Sequence, residues 1–172
     1  SSDLVMKHLG LSCQSLVASP ALARTLPAGA DVSQISQLPT LALGTEQREC
    51  QWRLDGPDGA RQNVPFTPRL VTDDMLALKQ ATLRGVGVAA LPLMMIRDEL
   101  DAGTLVPVGA PWYPEPGAVH AVFPSRRGLL PAVRELLDFM NAEYRESARR
   151  EYETQQRHGI PFLKTGLASS DL

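Results

Sequence analysis

Residues 81–108, ATLRGVGVAALPLMMIRDELDAGTLVPV, alternate helix, strand, helix and strand without a break, and this alternation confines the chain to an α/β fold. Ala81, Leu83 and Arg84 close a helix that opens at Asp73 or Asp74. Gly85 stands where a left-handed terminator is needed, a conformation without steric cost for glycine. Residues 86–91 then read as a strand, apolar on both faces apart from Gly87, as a central strand between two helical layers should be. Pro92 fits the first turn of the next helix, where its missing N–H has no partner to lose, and Gly103 ends that helix before a strand at residues 105–108.

With 172 residues, 44% of them hydrophobic, the chain can bury a core as one ordinary domain or as two small lobes. Charged residues make up 21% and the net charge is −2, so no global basic field drives nucleic-acid binding. Cys13 and Cys50 lack metal-ligand spacing and are expected to be reduced thiols. No apolar run approaches the roughly 20 residues that span a bilayer, and no basic-then-apolar leader stands at the start. A chain that begins at Ser1 rather than methionine is expected to be a piece of something longer.

Elsewhere, residues 4–9 read as a short helical turn ending at Gly10, and residues 12–18 as a strand reaching Ser19-Pro20. Asp31 with Gln34 forms a capping box that opens a short helix over residues 32–38, stopped by Pro39. Residues 41–43 form a brief strand. Residues 51–54 and 63–71 flank the turn formers Asp55-Gly56-Pro57-Asp58-Gly59 as a hairpin, with Pro65 and Pro68 pushing the second strand to a sheet edge. Residues 112–117 read as an irregular loop before a strand at 118–123. The longest helix runs from Leu129 to about Tyr152, with Leu129, Val133, Leu136, Leu137, Met140 and Tyr144 on one stripe and charges elsewhere. Arg145, Arg149 and Arg150 interleave with Glu143, Glu146 and Glu151, a salt-bridged face rather than a nucleic-acid patch. The last dozen residues read as a tail.

The string Gly85-Val86-Gly87-Val88-Ala89-Ala90 satisfies the dinucleotide fingerprint as letters only. That motif needs a strand before its glycines and a helix after them; here the order is reversed, which leaves capping and packing roles. His8, His120 and His158 are scattered without carboxylates or thiols at ligand spacing, and no nucleophile elbow, phosphate loop or zinc-binding helix is present. Catalysis, metal and cofactors are therefore not expected. Asp73 and Asp74 sit at a helix start, where carboxylates cap amides. The same start, with Thr72 beside it, is a candidate anion site if free amides open onto a cleft.

Several pieces occur together in one order: Leu16-Val17-Ala18-Ser19-Pro20, the helix before Pro39, Trp52 to Gly56, Thr72-Asp73-Asp74, Gly85-x-Gly87 with Leu91-Pro92, and Leu100-x-x-Gly103-x-Leu105-Val106. Val122-Phe123-Pro124-Ser125-Arg126, Pro131-Ala132-Val133-Arg134 and Leu137-Asp138-Phe139 complete the set. Over about residues 3–142 this order resembles the C-terminal half of a LysR-type transcriptional regulator. The resemblance implies an effector module of two Rossmann-like α/β lobes joined by two crossing strands, as in periplasmic binding proteins, with the first lobe incomplete.

On that resemblance, residues 1–19 hold the end of the first lobe and a crossing strand, and residues 20–88 the second lobe. Residues 89–152 would be the return crossing with the rest of the first lobe, and residues 153–172 a tail. It implies a small, anionic organic effector in the interlobe cleft, held by Ser19, Leu43, Gly44, Thr45, Thr72, Asp73, Met75 and Ala89. It further implies a cytoplasmic homodimer or homotetramer, no membrane contact, and DNA contact only through an N-terminal winged helix-turn-helix outside these residues. The alternatives are a periplasmic solute-binding protein of a transport system and, third, a small α/β enzyme with a dispersed site.

Overall fold

The computed structural model describes residues 4–45, 50–124 and 130–161. Strands β1 (Leu4–Ser12) and β2 (Gln14–Ala18) lead into the short helices α1 (Pro20–Ala23) and α2 (Val32–Ile35). Strands β3 (Leu41–Leu43), β4 (Cys50–Asp55), β5 (Arg61–Phe66) and β6 (Leu70–Thr72) precede helix α3 (Met75–Leu83). Strand β7 (Ala89–Pro92), helix α4 (Leu93–Asp101) and strands β8 (Val106–Pro107), β9 (Tyr113–Pro114) and β10 (Gly117–Pro124) follow, before helix α5 (Pro131–His158).

β2 is the middle strand of a three-stranded sheet, antiparallel to β7 on one side and to β8 on the other. Its side chains alternate between two cores. Leu16 and Ala18 pack with Val32, Ile35, Trp52, Leu54 and Phe66, while Val17 packs with Leu41, Leu78, Leu91, Ile96 and Leu105. Both faces of the sheet are thus covered, which explains the apolar run through residues 86–91. The regular strand starts later than that run, at Ala89, because Val88 turns to bridge Thr40 in parallel. Pro92 ends β7 and caps α4 from outside instead of lying in its first turn.

Gly85 and Gly87 have separate structural duties. Gly85 terminates α3 at φ +74°, and a Cβ on Gly87 would lie 2.7 Å from the Pro39 carbonyl oxygen. The Asp31–Gln34 capping box is present in both directions, on a helix that ends at Ile35. The hairpin β4–β5 has β5 at the edge, as its prolines require, but the second strand breaks at Thr67-Pro68-Arg69. Its last part, β6, leaves the hairpin sheet and pairs in parallel with β3. Residues 113–114, expected to be loop, add a short third strand beside β4.

Residues 4–9 are not a helical turn. They belong to β1, paired antiparallel with β10 from Leu4↔Pro124 to Ser12↔Gly117. One side of this ribbon packs on α5, where Leu9 is buried and Lys7 reaches Asp138 at 3.6 Å; the other side exposes Leu4, Met6 and Val122. His120 is exposed on that outer side and meets His8 edge-on, ring centroids 5.2 Å apart.

α5 is longer than expected and closes at Gly159 in the left-handed conformation. Ile160 is then buried in the second core, so residues 153–160 belong to the folded body rather than to a tail. Residues 162–172, Leu129 of the predicted stripe and Ser125-Arg126 lie outside the described residues. Within the stripe, Leu136 is exposed. The charged face forms its ladder through Arg149 with Glu146 and Glu153 and through Arg150 with Glu146, but Glu151 turns inward.

Candidate functional site

Because β3 and β6 run parallel, their C-terminal ends lie side by side, with Leu43 opposite Thr72. The Gly44 amide donates to the Thr72 carbonyl at 2.9 Å and ties the two exits together. α3 starts three residues later. Its N-cap Asp74 accepts from the amides of Leu76 at 2.8 Å and Ala77 at 3.2 Å, while its own amide donates to Thr72 Oγ1 at 3.1 Å. The helix start is therefore closed mainly by its own cap, and the array of free amides expected there is reduced to that of Met75 at the first helical position.

Beside these strand ends lies a cavity of about 700 Å³, within the usual size for a small-molecule site. Its walls come from three directions: Leu41, Ala42 and Leu43 of β3, Met75 of α3, and Trp52 and Phe66 of the hairpin. The Trp52 and Phe66 rings pack 4.5 Å apart between centroids at a tilt of 31°, giving a rigid apolar wall. Gln14, at the start of β2, and Gln51 bring carboxamides that can donate and accept. Among the described residues the lining is mainly apolar with two carboxamides, a surface that suits a small organic molecule.

Of the residues expected to bind effector, Leu43 and Met75 line this cavity. Gly44, Thr45, Thr72 and Asp73 stand at the adjoining strand exits. Ala89 is fully buried in the second core, and its neighbour Ala90 reaches the cavity instead. Ser19 is not in this group. β2 runs antiparallel to β7, so Ser19 follows the end of β2 remote from Gln14 and lines a separate hollow with Arg24 and Arg84. Sequence reasoning missed Gln14, Gln51, Trp52, Pro65 and Phe66; the alternation of Cys50, Trp52 and Leu54 along β4 was the signal that an aromatic faced inward.

A second electrostatic feature lies where β1 hands over to β2. The Cys13 amide donates to Glu151 Oε2 at 3.3 Å, and Glu151, Thr154 and Gln155 of α5 are all buried. Burial raises the Glu151 carboxyl to about 7, against the hydrogen bonds from Cys13 and the charge of Arg97. Burial, with the Glu151 charge beside it, pushes the Cys13 thiol up to about 12. His158 pairs with Asp101 at 2.8 Å and holds its carboxyl below the usual range. Among the described residues, no cluster of three or more histidine, cysteine or acidic side chains could hold a metal, and no helix is long and apolar enough to cross a membrane.

The chain is 27% identical over 115 residues to the HTH-type transcriptional regulator PtxR of Pseudomonas aeruginosa, covering 60% of this chain and 37% of that protein. It is 26% identical over 118 residues to the putative LysR family substrate binding domain-containing protein YagP of Escherichia coli, covering 62% and 85%. It thus spans little more than a third of PtxR. Among solved structures, full-length AphB, the Vibrio cholerae virulence activator, is similar with a TM-score of 0.70 at 22% identity, over 84% of this chain and 49% of that one. The CrgA regulatory domain of Neisseria meningitidis is similar with a TM-score of 0.68 at 20% identity, over 82% and 69%. These likenesses establish the two-lobed, periplasmic-binding-protein-like α/β fold of LysR-type regulatory domains. The relatives are regulators, which sets the solute-transport alternative aside. With the LysR substrate binding domain matching residues 1–145, the chain belongs to that family, the effector-binding part of LysR-type transcriptional regulators.

Proposed function

We propose that this chain senses a small organic acid in the cavity between β3, the start of α3 and the β4–β5 hairpin. The observation that carries the reading is a cavity of about 700 Å³ with an aromatic wall, two carboxamides and the exits of two parallel strands at its edge. In open α/β folds, ligands lie outside the carboxyl ends of strands. The effector's apolar body packs on Trp52 and Phe66, and its carboxylate meets the Met75 amide and the Thr72 hydroxyl, whose proton is free to donate while its oxygen accepts from Asp74. No catalytic role is assigned.

In this reading residues 20–88 form the second lobe, residues 1–19 and 89–152 hold the crossing strands and the remaining part of the first lobe, and Gln14 sits at the crossing. Effector binding shifts the angle between lobes in a cytoplasmic homodimer or homotetramer, and a winged helix-turn-helix outside these residues reads out the change on DNA. The test is calorimetry on Thr72→Val with an acid found by screening. Losing one hydrogen bond to a charged ligand costs about 1.5–3 kcal/mol, so affinity falls roughly tenfold to a hundredfold. Unchanged affinity in this variant rules out the carboxylate contact; unchanged affinity after Gln14→Leu as well rules out the cavity.

A further inference from the structure

At the far end of β2 from Gln14, five residues and about 16 Å along an extended strand, lies an open hollow of about 600 Å³. Its lining combines the half-buried Leu22 and Leu83 with the exposed Arg24, Thr25 and Arg84. Gly85 brings the end of α3 against Ser19, since a Cβ there would meet Ser19 Oγ at 3.0 Å. Two elements distant in sequence are thereby held together, each carrying one arginine. The hollow has no aspartate or glutamate in its lining, and neither arginine enters an ion pair among the described residues. Arg53, Arg69, Arg134 and Arg145 are likewise exposed without an ion pair among the described residues; Arg24 and Arg84 differ in lining one hollow together.

Two unpaired guanidiniums facing one hollow, in a chain whose net charge is −2, are matched chemically by a doubly charged oxyanion. Planar guanidinium forks bind phosphate oxygens two at a time, and the Ser19 hydroxyl, which accepts from the Leu22 amide, keeps its proton to donate, whereas Thr25 Oγ1 donates to the Leu22 carbonyl. A hollow of about 600 Å³ that includes Leu22 and Leu83 leaves room beyond a bare phosphate for the organic part of a phosphomonoester. We propose that the hollow between α1 and the end of α3 is a second ligand site, separate from the effector cavity, that takes a phosphate group through Arg24 and Arg84.

The test titrates the full chain with sodium phosphate, and separately with phenyl phosphate, against sodium chloride at matched ionic strength, following backbone amide shifts and heat. Shifts should cluster at Ser19 to Thr25 and at Leu83 to Gly85. Affinity should fall about tenfold in Arg24→Gln and in Arg84→Gln, while Arg134→Gln on α5 leaves it unchanged. All three arginines are exposed, so the variants should fold as the parent does. Equal binding of the two phosphates identifies free phosphate as a sufficient ligand, and tighter binding of phenyl phosphate identifies a phosphomonoester; both support the site. Shifts no greater than those from chloride, or full affinity in the double variant, overturn it. Binding of duplex DNA through these arginines without binding of either phosphate overturns it equally.

Discussion

Glu151→Gln should make the protein's stability less sensitive to pH. Glu151 is only 4% exposed, and burial lifts its carboxyl from the usual 4.5 to about 7. In the unfolded chain the proton leaves near 4.5, whereas the folded protein keeps it to about 7. Between those values the native state binds more protons, so stability falls as pH rises and the loss is complete above about pH 7. At about 1.4 kcal/mol per pH unit, the whole term is about 3 kcal/mol. Glutamine stays neutral and still accepts from the Cys13 amide, which removes the term and keeps the contact. Urea unfolding of parent and variant from pH 5 to 8.5 measures the difference directly. The variant should gain about 3 kcal/mol on the parent between the two ends of that range. Parallel curves would show that Glu151 is not a buried carboxylate that charges on neutralisation, and the reasoning from its burial would fail.

Gly87→Ala should destabilise by about 1–3 kcal/mol, because its Cβ meets the Pro39 backbone oxygen at 2.7 Å and a backbone must shift; an unchanged thermal midpoint would refute the close approach. Asp74→Asn keeps a capping oxygen and should leave stability nearly unchanged. It should also tighten binding of an anionic effector about threefold, the effect of removing a unit charge at roughly 6 Å in water. Calorimetry on this variant therefore separates an anionic effector from a neutral one.

The run from Asp74 to Pro107 was legible because each local signal agreed with the fold: an acidic N-cap, glycine terminators at 85 and 103, and a strand apolar on both faces. β1 was not legible. Its outward positions, Leu4 and Met6, are apolar while the inward Lys7 is charged and pairs with Asp138 across the interface, so the period of two was blurred. The end of α5 failed for the opposite reason. Glu151 read as part of a salt-bridged face and residues 153–172 as a tail, yet Glu151, Thr154 and Gln155 are buried, with Glu151 accepting from the Cys13 amide and Thr154 donating to the Arg150 carbonyl. The helix start at Thr72 to Asp74 was read from its cap signals, while Leu43, Gly44, Met75 and Ser19 were implied by the family resemblance, and of these the antiparallel β2–β7 register carries Ser19 to the opposite end. Topology, not local sequence, separates those two ends.

The two tryptophans allow the central claim to be tested in one experiment. Trp52 lines the cavity, whereas Trp112 packs over Gly56, where a Cβ would stand 2.6 Å from its ring, and does not reach the cavity. Fluorine NMR of the 5-fluorotryptophan-labelled chain gives one resonance for each, assigned with Trp112→Phe. Titration with a panel of aromatic and short aliphatic carboxylates should yield a binder that shifts the Trp52 resonance in a saturable way and leaves that of Trp112 in place. Saturable binders that move only Trp112, or neither resonance, would place the effector outside this cavity and contradict the account.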